Sequence, residues 1–162
     1  MRIYPLSEGS FSIDSTKVFI PFEGDIQNRP TGSILVQVQP FVVVTENDII
    51  LLDTGLGYFN NQGILQIHAN LMAIGIDPSS VTKVFLSHLH KDHSGGISYL
   101  HPQHQERFIS FPYATYYIQK SEYDLALQSK SASYIADQIQ ILEEFSKVHW
   151  LTQEEGVIED LI

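Results

Sequence analysis

The sequence contains no cysteine. Disulfides and thiolate ligands are therefore excluded, and any metal site has to be built from histidine and carboxylates. The same absence fits a cytoplasmic protein. Basic residues are scarce: nine Lys and Arg stand against nineteen Asp and Glu, a formal charge of −10. That balance argues against nucleic acid and anionic membrane as partners, and its plain role is solubility. No long apolar run follows the start Met1-Arg2-Ile3-Tyr4-Pro5, so neither a signal peptide nor a membrane span is expected. There is no G-x-x-x-x-G-K-[ST] stretch and no G-x-S-x-G elbow, which removes the phosphate-cradling loop and the serine-hydrolase nucleophile. Repeats and low-complexity segments are absent as well.

What is there fits one globular domain. The chain has 162 residues, 43% of them hydrophobic and 17% charged, enough for a sizeable core. Residues 10–13 and 17–22 read as short strands around Asp14-Ser15-Thr16, and Glu23 to Gly32 as a polar loop. Ser33 to Thr45 is strand-rich, with Pro40 predicting a bulge or an edge. Glu46-Asn47-Asp48 is a turn that leads into Ile49-Ile50-Leu51-Leu52, apolar on both faces as a central strand would be. Ile64, Ile67, Leu71 and Ile74 recur at helical spacing, with Gly75 as the stop. His68 and Met72 on this helix are expected in the core or at its boundary. Asp77-Pro78 supplies a cap and a first-turn proline before the strand Val81 to Leu86. Ile97 to Leu100 reads as a short helix, Ala114 to Gln119 as a strand, Ser121 to Leu127 as a helix and Ser129 to Ser133 as a linker. The spacing of Ile135, Ile139, Leu142 and Phe145 predicts an amphipathic helix over 134–145, and Val148 to Leu151 reads as a strand. His101 and His104 are expected to be solvated loop residues, and His149 and Trp150 to be packing residues. Alternating strands and helices indicate an α/β layered domain.

The chain is organised around Ser87-His88-Leu89-His90-Lys91-Asp92-His93-Ser94-Gly95-Gly96. Four possible metal ligands, His88, His90, Asp92 and His93, fall within six residues, directly after a buried strand. In extended backbone, residues two apart point the same way, so His88 and His90 can grip one ion. After the turn, Asp92 and His93 can face a second. Gly95-Gly96 lets the backbone pass close to whatever lies beside it.

His88-x-His90-x-Asp92-His93 resembles the H-x-H-x-D-H signature of the metallo-β-lactamase-fold hydrolases. Ile50-Leu51-Leu52-Asp53-Thr54-Gly55 is similar to that family's earlier strand ending in Asp-Thr-Gly. The N-terminal run and the Phe/Tyr-rich insertion after residue 104 look most like its lactone-hydrolase branch. The resemblance implies the N-terminal half of a four-layer αβ/βα sandwich, so 1–162 is read as a single domain stopping before the C-terminal half. It implies a two-zinc site, with manganese or iron as alternatives, that uses metal-activated hydroxide on an ester, lactone or related bond of a small molecule. His88 and His90 would hold one metal, and Asp92 and His93 the other. Asp92 would also be the catalytic carboxylate that orients the hydroxide and takes its proton. Asp53 has two readings: a turn residue satisfying loop amides, or the carboxylate that takes the outer N–H of a metal-bound histidine. The loop at 23–32 would border the mouth of the site.

The family's third histidine, its bridging Asp and its last histidine have no counterpart here; His149 lacks the Gly-His setting of the third ligand. About two ligands per ion remain, where a catalytic zinc normally has three. Two further readings therefore stand beside the hydrolase: a non-catalytic chain or subunit that binds a partner, and a module holding a single metal. The apolar strands at 41–44, 49–52 and 81–86 predict a sheet face in need of cover, supplied by a homodimer or by a C-terminal half.

Overall fold

A computed structural model describes residues 1–101 and 106–152. His104 and the apolar ending 157–162 lie outside the described residues. Strands β1 (Arg2–Pro5), β2 (Gly9–Ile13), β3 (Ile20–Pro21), β4 (Ile34–Val38), β5 (Phe41–Val44) and β6 (Ile49–Leu52) come first. Helix α1 (Gln66–Ala73) leads to β7 (Lys83–Phe85), helix α2 (Lys91–Ser94), and the pair β8 (Ser98–Leu100) and β9 (Arg107–Ile109). Strand β10 (Thr115–Gln119), helices α3 (Lys120–Gln128) and α4 (Ala136–Ile139), and β11 (Val148–Leu151) complete the described chain.

The main sheet has six strands in the order β1-β5-β6-β7-β10-β11. Its first three strands form an antiparallel meander, and β6, β7, β10 and β11 run parallel. The fully apolar β6 is central, as its pattern predicts. One register row, Tyr4–Val42–Leu51–Val84–Tyr116–Val148, crosses the whole sheet. Its middle members Val42, Leu51, Val84 and Tyr116 are completely buried. They share the main core with Ile67 and Leu71 of α1 and Tyr123 and Ala126 of α3.

The rows on the opposite face are thinly covered. Val43 and Ile50 are buried, with Leu52 and Phe85 packed against them, and this cluster draws every member from the sheet itself. Beside it Ile3 is 57% and Phe41 38% exposed. A second sheet, β3-β2-β4, carries the buried Phe11, Ile13 and Val38. Pro40 neither bulges a strand nor sits in an edge. It lies at the corner where the chain leaves β4 for β5 in the other sheet, a place that needs no N–H, and its carbonyl accepts from Leu6 N–H at 2.8 Å.

Several expectations need correction. Ile97 to Leu100 is not a helix: a single tight turn at Gly95–Ile97 passes into β8, which pairs with β9. The pairing partner, Arg107–Ile109, lies far enough along the chain that local pattern does not reveal it. The helix over 134–145 shrinks to α4 followed by a 3-10 turn at Gln140–Glu143. Ile139 and Leu142 are buried there, while Ile135 is 38% exposed. A spacing of three suits the tighter winding as well as the α-helix. Met72 is 46% exposed, beyond both the core and the boundary expected for it. Among the described residues no helix is long and apolar enough to cross a membrane.

Candidate metal centre

Strands β6 and β7 are parallel neighbours, with Leu52 beside Phe85, so the segments after them leave the sheet at the same edge. Crevices at the C-terminal ends of parallel strands are the usual ligand sites of such sheets. Asp53 turns the chain there in a left-handed conformation, φ 62°, and its N–H donates to Phe85 O at 2.9 Å. Among non-glycine residues Asp and Asn enter this region most readily.

The Asp53 carboxylate faces the histidine loop. It accepts Ser87 N–H on Oδ1 and Ser87 O–H on Oδ2, each at 2.8 Å. His93 Nδ1–H donates to the same Oδ2 at 2.7 Å. Asp53 thus does what both of its readings ask: it accepts the Ser87 loop amide, and it takes the N–H of His93. The bond also leaves Nε2 as the free ring nitrogen of His93, and Asp92 Oδ2 lies 3.5 Å from it.

His88, His90 and His93 come together. The His88 ring centroid is 4.6 Å from that of His90 and 4.0 Å from that of His93. Leu89 between the first two is completely buried and roots the loop in the core. His90 stands at the start of α2, and its carbonyl accepts from both His93 and Ser94 N–H at 2.9 Å. Burial, together with the charges of His93 and His90, lowers the His88 pKa and favours its neutral form. That is the form in which imidazole binds metal. At His93 burial opposes the cation, but the Asp53 hydrogen bond and the charges of Asp53 and Asp92 outweigh it and raise the pKa.

The glycines of the motif serve the backbone of the Asp-Thr-Gly turn. A Cβ on Gly95 would stand 2.3 Å from Leu56 O, and one on Gly96 2.2 Å from Thr54 O. Thr54 N–H donates to His93 O at 2.7 Å and Gly96 N–H to Gly55 O at 3.2 Å. The two motifs are thus stitched together through their main chains.

Sequence reasoning missed a second set of supports. Glu122, in the first turn of α3, accepts Leu89 N–H at 2.9 Å, and the Tyr134 ring packs 4.9 Å from His90. A carboxylate in a first helical turn looks like a partner of the helix dipole, and a tyrosine after a small-residue linker carries no signal of its own. A cavity of about 830 Å³ opens alongside, walled by Phe11, Phe19, Tyr58, Phe59, Glu8 and Lys91. Lys91, inside the histidine motif, sets its ammonium 5.7 Å from the Phe19 ring centroid.

Three imidazoles and a carboxylate are a nitrogen–oxygen donor set that suits zinc, manganese or iron. Among the described residues no group of three or more His, Asp or Glu side chains is disposed to hold one ion by itself. The donor chemistry therefore fits a metal, with a shell that these residues fill in part.

The family model for the metallo-beta-lactamase superfamily matches residues 34–160. The N-acyl homoserine lactonase AttM of Azorhizobium caulinodans is 41% identical over 58 residues, 36% of this chain and 18% of that protein. Among solved structures, AidC, a dizinc quorum-quenching lactonase, superposes with a TM-score of 0.66 at 23% identity. The hydrolase AbOPH of the beta-lactamase superfamily superposes with a TM-score of 0.67 at 20% identity. Each solved relative is matched over 96% of this chain and 59% of its own, so the chain spans about three fifths of their length. On the match of the family model, this chain belongs to the metallo-beta-lactamase superfamily.

Proposed function

We propose that the chain carries the histidine-loop side of a metal-dependent hydrolase acting on lactones or related esters. The observation that carries this is the His88 ring lying 4.6 Å from that of His90 and 4.0 Å from that of His93, centroid to centroid, beyond the ends of β6 and β7, with Asp53 on Nδ1 of His93. His88 and His90 hold one ion, and Asp92 and His93 the other. Zinc is the metal we infer, with manganese and iron open on ligand type. A bound ion would supply Lewis acidity and lower the pKa of a water to about 7. Asp92 would orient such a water and take its proton, while Asp53 keeps the His93 ring turned toward the site. The lactone is supported by the likeness to the lactonases AttM and AidC. The cavity beside Lys91, with Phe11, Phe19, Tyr58 and Phe59 in its wall, offers room for an apolar part of such a small molecule.

The open sheet face supports a partner, either a second copy of the chain or the other half of the family fold. A cytoplasmic location belongs to the same proposal. A second reading, a chain that binds a partner without chemistry, is favoured by the lack of a three-ligand group among the described residues.

Hydrolysis of a simple lactone and a nitrophenyl ester, with and without added zinc, separates the two when the chain alone is compared with the chain joined to the rest of the family fold. With about two ligands per ion the chain alone is expected to turn over neither at ordinary enzyme rates and to lose zinc to a mild chelator. Restoring a covering half is expected to produce turnover that His90→Ala abolishes. A metal-loaded, covered protein with no such turnover would leave the non-catalytic reading.

A further inference from the structure

Glu8 is a carboxylate where none is needed for solubility. It is 7% exposed, at the start of β2, and far in sequence from the motifs. Its Oε2 accepts Leu56 N–H at 2.8 Å. Its Oε1 is buried without a hydrogen-bond partner. The carboxyl group lies flat against Gly55: a Cβ there would stand 2.4 Å from the Glu8 carboxyl carbon. Gly55 has φ +71°, so both its backbone and its contact with Glu8 exclude a larger residue. The main chain of Glu8 is fixed on two further sides. Its N–H donates to Val38 O at 2.9 Å, and its carbonyl accepts Tyr58 O–H at 2.9 Å. Glu8 therefore clamps the segment from Gly55 to Tyr58 against the second sheet.

That segment continues the turn that begins with Asp53. Thr54 and Gly55 are tied on their other side to His93 and Gly96. We propose that Glu8 is a positioning residue of the metal site: its buried carboxylate, seated on Gly55 and holding the Leu56 N–H, fixes the turn that aims Asp53 at His93. The inference rests on the metal-site reading above for its purpose. The clamp itself is a matter of this chain's own contacts. A buried acid with an unpartnered oxygen is costly in its charged form. Burial accordingly raises the Glu8 pKa to about 7, against the lowering effect of the Leu56 hydrogen bond. The other titratable group in contact is Tyr58, whose pKa burial and the Glu8 charge both raise. Lys91 and Glu23 line the same cavity.

The test is amide hydrogen exchange on the wild-type chain, Glu8→Ala and Glu8→Gln, with zinc affinity measured in parallel. The glutamine keeps an acceptor for Leu56 N–H, and the alanine does not. In Glu8→Ala the Thr54 and Ser87 amides are expected to lose about tenfold or more in protection, and zinc to bind about tenfold more weakly, as loss of an outer support does. Val84 and Tyr116 in the central strands keep their protection in Glu8→Ala, and Glu8→Gln protects Thr54 and Ser87 at least as well as the wild type does. Unchanged protection at Thr54 and Ser87 in Glu8→Ala overturns the proposal. So does a loss spread evenly over the central strands, which would mark a merely structural role. If Glu8→Ala does not fold, Glu8→Asp, one methylene short of Leu56, takes its place with the same expected losses. If the wild type takes up no zinc, the hydrolase reading fails, and the exchange data still decide the role of Glu8.

Discussion

At the scale of single residues, Asp53 joins the most functions. It ends β6, adopts a left-handed backbone, and accepts from Ser87 and His93. Asp53→Asn tolerates that backbone but exchanges a charged acceptor for a neutral one. It is expected to fold and to bind zinc roughly 10–100-fold more weakly. Asp53→Val adds a β-branched side chain at positive φ and should also cost about 1–2 kcal/mol of stability. Denaturant melts and zinc titrations of the two variants check both halves; equal zinc binding by Asp53→Asn would remove Asp53 from the site. Glu8 makes a second residue-scale prediction. Its pKa is raised from 4.5 to about 7 in the folded state. The folded state then binds more protons than the unfolded one between these values, so Glu8 makes stability fall as pH rises from 4.5 to 7. The loss is on the order of 3 kcal/mol, and Glu8→Gln is expected to abolish it. Melts from about pH 4 to 8 would show the two curves together at low pH, diverging between 4.5 and 7 and staying apart above.

The five motif residues were legible because they lie in two short stretches whose order and chemistry speak for themselves. Glu8, Glu122 and Tyr134 were not. Glu8 meets Leu56 across 48 positions and Glu122 meets Leu89 across 33, and no local pattern encodes such pairings. The sequence also does not show that the Asp53 carboxylate meets both Ser87 and His93, 34 and 40 positions away.

At the scale of elements, the site depends on how closely two loops approach. Gly95 and Gly96 press against the carbonyls of Leu56 and Thr54, leaving no space for a methyl group. Gly95→Ala and Gly96→Ala must push backbone apart and are expected to cost about 1–3 kcal/mol each. Gly63→Ala is the control: Gly63 has φ +73° and open space around it, so it suffers backbone strain alone. Zinc binding should fall in the first two variants and stay unchanged in the third. Elements with strong apolar periods, β6 and α1 above all, were plain in the sequence. The strand β8 was mistaken for a helix because its partner β9, separated by a polar stretch, decides its form.

At the scale of the whole molecule, one sheet face is packed by α1 and α3, while the other holds the buried Val43 and Ile50 beside half-buried Leu52 and Phe85 and exposed Ile3 and Phe41. The row Pro5–Phe41–Leu52–Phe85–Tyr117–His149 crosses this second face. Contiguous apolar patches beyond a few hundred Å² are rare on soluble monomers. Covering about 800 Å² would contribute roughly 20 kcal/mol at ~25 cal/mol per Å², before association costs of about 4–15 kcal/mol or more. We expect self-association at micromolar concentration by light scattering, and its loss in Phe41→Glu. A stable monomer that binds no hydrophobic dye would rule out the exposed-face argument. The apolar strands at 41–44, 49–52 and 81–86 predict such a face, and that measurement tests whether it needs cover.

The central claim is that the gathered histidines bind metal. It is tested most directly by titrating zinc into the wild-type and His90→Ala proteins while following the histidine ring signals by nuclear magnetic resonance. The account predicts saturable shifts at His88, His90 and His93, none at His68 or His149, and loss of the response in His90→Ala. Uptake that survives His90→Ala unchanged, or shifts confined to His68 and His149, would contradict it.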